Sequence, residues 1–284
     1  MRLSLLTTLA SSPFMLAAAK LIIDFKGGDH PSTLGVVELE GQDLGCKLTS
    51  AGNAAFIRTE KDPVTGTDAL HYHRDPHFRR AEVKAMAEAD NKAVEDKTYY
   101  IGYNFRLEKT HESLVIFQWK KWDKEAAPKQ NIPLYVHFNS KLDLVIEYTI
   151  PGTDGSNREI VWTGPVSAGK TSHSLGFIIN TNSKGKGWLE FYLDGKQQKF
   201  NAAHGGGNRL ENVFLLTGDT SPKFGIYRAE AAGSSNDGTR YCPPSGVYTG
   251  EVAPDGTDRI FNSYVYRVQI SDTSLEEVKE AAGL

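Results

Sequence analysis

Cysteine, net charge and long apolar runs are all scarce in this 284-residue sequence. Cys46 and Cys242 are its only thiols, which excludes a dense disulfide scaffold or a four-cysteine zinc site. In an oxidising compartment the two are expected to bridge, stabilising by about 3–5 kcal/mol through the unfolded state; two buried free thiols are the alternative. Lys and Arg number 32 against 35 Asp and Glu, a formal charge of −3 with no basic block, so nothing favours nucleic acid as a partner. After the first nineteen residues no stretch is apolar enough to span a bilayer. Those nineteen, MRLSLLTTLASSPFMLAAA, carry Arg2, an apolar stretch and then Ala17-Ala18-Ala19, the layout of a cleaved secretory signal. No Asn-x-Ser/Thr acceptor offers a second mark of export. No Pro/Ser-rich linker, charge block or repeat divides the remainder. Residues 1–19 are therefore read as a signal peptide and 20–284 as one domain, expected to be a secreted, extracellular monomer with no membrane contact.

Helix signals are few. The clearest is DTSLEEVKEAAGL, where Thr273 or Ser274 is placed to cap, Glu276 or Glu277 follows three residues on, and Gly283 stops the run. Most other segments alternate with period two and are rich in Val, Ile, Tyr, Phe and Trp. Among them are ALHYHR, RRAEVKAM, YYIGYNFRLE, SLVIFQWK, LDLVIEYTI, HSLGFIIN, WLEFYLDG, KFGIYRAE and SYVYRVQIS. Asp194-Gly195 reads as a hairpin turn, and EKDPVTGTD as a longer connection. The fold class expected is all-β: a jelly-roll sandwich of two antiparallel sheets, one of them bent into a concave groove.

Several motifs lack the context their chemistry requires. GPVSAGKT, Gly164 to Thr171, fits the phosphate-loop pattern, but SHSLGFIIN after it reads as a strand where a phosphate cradle needs a helix N-terminus. HGGGN at His204 resembles an esterase oxyanion loop, yet no G-x-S-x-G elbow exists. HYHRDPH puts His71 and His73 on one strand face with His77 beyond a proline turn, a spacing open to zinc or to a polar groove. Asp24, Asp29, Asp255 and Asp258 leave room for a structural calcium without a recognisable loop, and surface turns explain them equally. Glu190 and Asp194 are carboxylates for a glycoside hydrolase, but no E-x-D-x-x-E pattern surrounds them.

Three segments read together are more informative. Alternation puts Arg80, Glu82 and Lys84 on one face of RRAEVK, Gln118 and Lys120 on one face of FQWKKW, and Lys223 and Tyr227 on one face of KFGIY. Each strand thus has an apolar side for the core and a side bearing cations, an amide or a phenol. Facing one way, the three would form a groove suited to an anionic polymer; taken singly, each is an ordinary salt-bridged surface with snorkelling lysines.

These segments resemble the signature stretches of the jelly-roll alginate lyases, R-[ST]-E-[LV]-R, Q-[IV]-H and Y-F-K-A-G-[IV]-Y-N-Q, in the same chain order. Arg80, Glu82 and Val83 match the first, with Ala81 for the hydroxyl residue and Lys84 for the second arginine; Gln118 matches the second, with Lys120 where the histidine would be. Lys223, Gly225, Ile226 and Tyr227 match the third, and Arg228 and Ala229 depart from it. With that histidine missing, and with a fungal-looking secretory layout, the chain more closely resembles the glucuronan lyases of polysaccharide lyase family 20. That resemblance implies β-elimination on an anionic polysaccharide, β-1,4-linked polyglucuronate, with no cofactor required for the chemistry; alginate is the alternative substrate.

Elimination removes the C5 proton of a uronate and expels O4. The resemblance assigns neutralisation of the carboxylate to Arg80 and Gln118. Tyr227 serves as both base and acid, since H5 and O4 lie on one side of the ring, with Lys223, Lys120 or Arg80 favouring its phenolate. His73 is a second candidate for the base. His73, Lys84, Lys120 and Lys223 are expected to bind substrate. A non-catalytic, lectin-like module on the same sandwich is the rival reading, with Trp119, Trp122, Trp162 and Trp188 as its sugar platforms.

Overall fold

The computed structural model describes residues 21–39, 47–48, 54, 56–74, 80–87, 91–121, 129–152, 157–216, 220–228, 247–248 and 260–284. The expectations for residues 1–19, Cys46, His77, Trp122, Cys242, Asp255 and Asp258 lie outside them. In chain order the strands begin with β1 (Ile23–Lys26), β2 (Val36–Leu39), β3 (Lys47–Leu48), β4 (Ile57–Lys61), β5 (Asp68–Arg74) and β6 (Arg80–Lys84). There follow β7 (Thr98–Leu107), β8 (Leu114–Lys121), β9 (Leu134–Phe138), β10 (Leu144–Thr149), β11 (Arg158–Gly164) and β12 (Ser172–Asn180). The last are β13 (Gly187–Leu193), β14 (Lys196–Gln197), β15 (Leu210–Val213), β16 (Thr220–Arg228), β17 (Val247–Tyr248) and β18 (Phe261–Ser271).

Among the described residues these strands form two antiparallel sheets. One has nine strands, in the order β14-β13-β12-β7-β18-β5-β4 with β1 added to β18 and β15 to β13; the other has seven, β11-β10-β9-β8-β16-β6-β2. A short parallel pair, β3 with β17, stands apart. The jelly-roll sandwich expected from alternation is therefore the fold. Aromatic side chains from the two inner faces interlock: Phe117 stacks on Phe177 at 4.6 Å between ring centroids, and Phe224 meets Tyr103 at 5.1 Å. Trp119 is fully buried between them and donates its indole N–H to the Leu215 carbonyl.

The Asp194-Gly195 turn joins β13 to β14 with both residues at positive φ, 49° and 74°, the primed hairpin geometry. The phosphate-loop look-alike links β11 to β12 with no helix between, so no helix terminus is available for phosphate. The C-terminal helix is shorter than its pattern implies: a 3₁₀ turn at Glu276–Val278 leads into α1 (Lys279–Ala282), closed by Gly283 at φ 72°. Ser271, rather than Thr273 or Ser274, does the capping, accepting from the Thr273 N–H at 2.9 Å. The helix seats on glycine, because a Cβ at Gly102 would stand 2.7 Å from that of Ala281.

Alternation did not predict β1, β2, β9, β11 or β15, which are short or carry a polar residue on each face. The omission of β9 matters most, since it belongs to the sheet that carries the three motif strands.

Gly225 on β16 has φ 134°, and a Cβ there would lie 2.3 Å from the Ala81 carbonyl oxygen and 2.8 Å from the Glu82 Cα. Gly225→Ala is expected to destabilise by about 2 kcal/mol or more, measured as a lowered midpoint in chemical denaturation; an unchanged midpoint would contradict the close approach of β16 to β6.

Candidate active site on the seven-stranded sheet

Register brings the three motif strands side by side. β16 lies between β6 and β8, with Tyr227 opposite Arg80 and Lys223 opposite both Lys84 and Gln118. β8 pairs in turn with β9, Gln118 facing Tyr135 and Val115 facing His137. Since Ala81, Val83, Phe117 and Phe224 belong to the core, strand alternation turns Arg80, Glu82, Lys84, Gln118, Lys120, Lys223 and Tyr227 to the opposite, outer face. Beyond them β9 adds Tyr135 and His137, β10 adds Glu147 and β11 adds Arg158.

Glu82 is the hub of this face. Its side chain is 1% exposed, and its carboxylate accepts from the Gln118 amide at 2.5 Å, with Lys223 Nζ at 3.4 Å and Arg80 Nη1 at 3.3 Å. Glu38 on β2 supplies a second carboxylate, paired with Lys223 and 3.5 Å from Arg80. The Arg80 guanidinium also lies over the Tyr227 ring, 4.6 Å from its centroid, a favourable cation–π position. Lys120 Nζ donates to Asn131 Oδ1 at 2.9 Å. Burial, then the neighbouring charges of Lys223 and Arg80, pull the Lys120 amine down to about 8, partly offset by Glu82 and Glu38. The charged groups that register fixes on this face are Arg80, Lys84, Lys120, Lys223 and Arg158 against Glu38, Glu82 and Glu147, an excess of positive charge that suits a polyanion.

Arg80, Gln118 and Tyr227 therefore share one face across three adjacent strands, with Lys84 and Lys120 beside them. Two sequence expectations change. Lys223 has no exposed side chain and is committed to Glu38 and Glu82, so it is a counter-ion beneath the face rather than a substrate contact, and the cation at Tyr227 is Arg80. His73 is on β5 of the other sheet, its Nδ1 2.8 Å from Asn262 Oδ1. Tyr72, next to it in sequence, points at Gly225, so strand alternation turns His73 and His71 away from the seven-stranded sheet. His71 also bonds to Asn262, through Nε2 at 2.7 Å, and burial pushes it down to about 4. Among the described residues no three His, Cys, Asp or Glu side chains gather to hold a metal. Asp24 is taken up by Arg267 at 2.5 Å, and Asp29 by the Lys26 N–H at 2.8 Å.

Sequence reading missed Tyr135, His137, Glu147 and Arg158. The signal for the first two was the alternation within LYVHF itself. His137 Nε2 is 3.1 Å from Glu147 Oε1, and Arg158 lies over Tyr135, 4.7 Å from the ring centroid. Burial would raise the Glu147 carboxyl, but His137 and Arg158 hold it below its ordinary value.

The rival readings lose their residues to structural duties. Trp119 and Trp162 are core side chains, 0% and 4% exposed, and Arg209 covers Trp188 at 3.8 Å, which removes three of the four sugar platforms. Glu190 is held by Arg209 at 2.5 Å, and Asp194 by His173 at 2.9 Å, both on the nine-stranded sheet. His173 also faces Ser167, a Ser-His-Asp order. Its Nε2 is nearer the Ser167 carbonyl (3.0 Å) than the hydroxyl (3.2 Å), so its proton clamps the loop backbone and the nitrogen is no base for the hydroxyl.

Comparison with solved structures returns the same sandwich in several proteins. The endo-β-1,4-glucuronan lyase from the fungus Trichoderma reesei is 17% identical, over 78% of this chain and 88% of that one, with a TM-score of 0.49. The alginate lyase Aly36B is 11% identical over 89% and 97%, with a TM-score of 0.45. The cellulose induced protein Cip1 is 10% identical over 76% and 85%, with a TM-score of 0.44. No curated protein sequence matches. A family model described as polysaccharide lyase matches residues 40–242, most of the chain and every segment that builds this face, and the protein belongs to the polysaccharide lyase family.

Proposed function

We propose that the protein is a secreted, monomeric lyase that cleaves a polyuronate, β-1,4-linked polyglucuronate above all, by β-elimination at this face. One observation carries the reading: Arg80, Gln118 and Tyr227, far apart in the chain, come to one face of adjacent strands around the buried Glu82. A uronate C5 proton is weakly acidic because the adjacent carboxylate is already negative. The site must neutralise that carboxylate and then stabilise the charge that moves onto it. Arg80 and Gln118 are the donors suited to the task, each of a kind worth about 3–4 kcal/mol when aimed at developing charge. Tyr227 takes the proton as phenolate, with the Arg80 cation over its ring as counter-charge. In the single-residue scheme the same phenol then protonates O4. Lys84 and Lys120 lie along the face for neighbouring carboxylates. Every duty in this scheme falls to side chains, so no cofactor enters it.

Incubation with polyglucuronate is expected to release unsaturated uronate, seen as ultraviolet absorbance, with alginate, pectate and chitosan as comparisons. New reducing ends without absorbance would mean hydrolysis, and binding without either would mean a lectin. Tyr227→Phe is expected to lower turnover by roughly 10²- to 10⁴-fold while polymer binding persists; full activity in this variant would end the scheme. Because Lys120 titrates near 8, its charge is present at pH 7 and lost by pH 9. KM for the polymer should rise across that window by up to about fivefold, the worth of one partly screened ion pair, and Lys120→Met should flatten the rise.

A further inference from the structure

The mechanism above asks one phenol to do two jobs, but the face presents two phenols. Tyr135 stands opposite Gln118 across the β8–β9 ladder and opposite Glu147 on β10. Val115 and Ile132 wall it in, and Tyr227 packs against that same cluster. The two rings carry matching cations: Arg80 over Tyr227 at 4.6 Å and Arg158 over Tyr135 at 4.7 Å. Other buried tyrosines here spend their hydroxyls on structure, as Tyr99 does in accepting from the Val94 N–H at 2.8 Å and Tyr148 from the Phe214 N–H at 2.9 Å. Among the described residues no group is hydrogen-bonded to the Tyr135 hydroxyl, and the ring is otherwise enclosed, 6% exposed. A buried hydroxyl with no protein partner is a costly feature unless a ligand completes it.

Its surroundings also separate it from Tyr227 chemically. Burial, then the neighbouring Tyr227 phenol, push Tyr135 above the ordinary phenol range, with Glu82 and Glu147 acting the same way and Arg158 opposing. A phenol so placed keeps its proton while another nearby gives one up, which is the division acid–base pairs use.

We propose that Tyr135 is the general acid of the elimination, protonating the departing O4, and that Tyr227 acts only as the base at C5. The inference rests on the uronan lyase reading and refines it. In the step, the Tyr227 phenolate takes H5 and becomes a phenol. The C5–H electron pair forms the C4=C5 double bond, the C4–O4 bond breaks, and O4 leaves with its pair and takes the Tyr135 proton. The enzyme then holds Tyr227 as phenol and Tyr135 as phenolate, and one proton passed between these neighbouring side chains restores the starting state. Gln118, in register with Tyr135, stays on the carboxylate.

Two substrates separate the roles: polyglucuronate, whose sugar oxygen needs a proton to leave, and a methyl glucuronoside with fluoride at C4, whose leaving group needs none. Tyr135→Phe is expected to lose roughly 10²- to 10⁴-fold in kcat on the polymer, with KM within about twofold, yet to release fluoride at nearly the wild-type rate. Tyr227→Phe should be slow on both. Retained fluoride release also shows that the Tyr135→Phe protein is folded with its base intact. A Tyr135→Phe protein that turns over polymer within about fivefold of wild type, or that is equally slow on both substrates, overturns the assignment. If wild-type protein forms unsaturated product on every uronate polymer tested except this pair of substrates, the polyglucuronate specificity fails; if it forms none at all, the lyase reading fails and the inference goes with it.

Discussion

The structure of this face depends on a single buried carboxylate. Glu82 is almost wholly removed from water, and a charge in that position is tolerated only with hydrogen bonds and counter-charge around it. The surrounding residues follow from that requirement. Gln118 turns its amide toward Glu82, Lys223 is drawn into full burial, and Arg80 is held where it spans Glu82, Glu38 and the Tyr227 ring. Removing a partner from such a cluster costs more than the pair itself contributes, because the remaining charge is stranded. Glu82 thus orders three of the side chains assigned to chemistry without itself facing substrate.

Across the sheet the character of the face changes. Toward β2 and β6 it is ionic, with Glu38, Glu82, Arg80, Lys84 and Lys223 in contact or in register; toward β9 it becomes aromatic and apolar, with Tyr135, Tyr227, Val115 and Ile132 packed together. Gln118 sits at the boundary. An elimination benefits from such a gradient. Cations are needed where the substrate carboxylate gathers charge, and a low-dielectric, aromatic side is needed where protons are exchanged at carbon and at the leaving oxygen.

The same geometry explains why the neutral and charged readings of individual residues differ. Lys120 stands where the resembling lyases have histidine, and its burial among Lys223 and Arg80 draws its amine toward neutrality. His73, a residue whose chemistry fits a base, is bonded to Asn262 on the other sheet. Residue type proposes a role, and the sheet on which the residue falls decides whether the role is available.

The sequence determined the fold class and half of the face. Period-two alternation and β-branched, aromatic composition specify paired strands, and within one strand they specify which side chains share a side; that is why Arg80 with Glu82, Gln118 with Lys120, and Lys223 with Tyr227 were legible. Alternation is blind to which strand lies next to which. Only the tertiary structure put β16 between β6 and β8, carried β5 and His73 to the opposite sheet, and sank Lys223 under the face. It alone brought Tyr135 from a five-residue strand to the side of Gln118 and Tyr227. Strand pairing is set by packing between segments remote in the chain, and no local pattern encodes it.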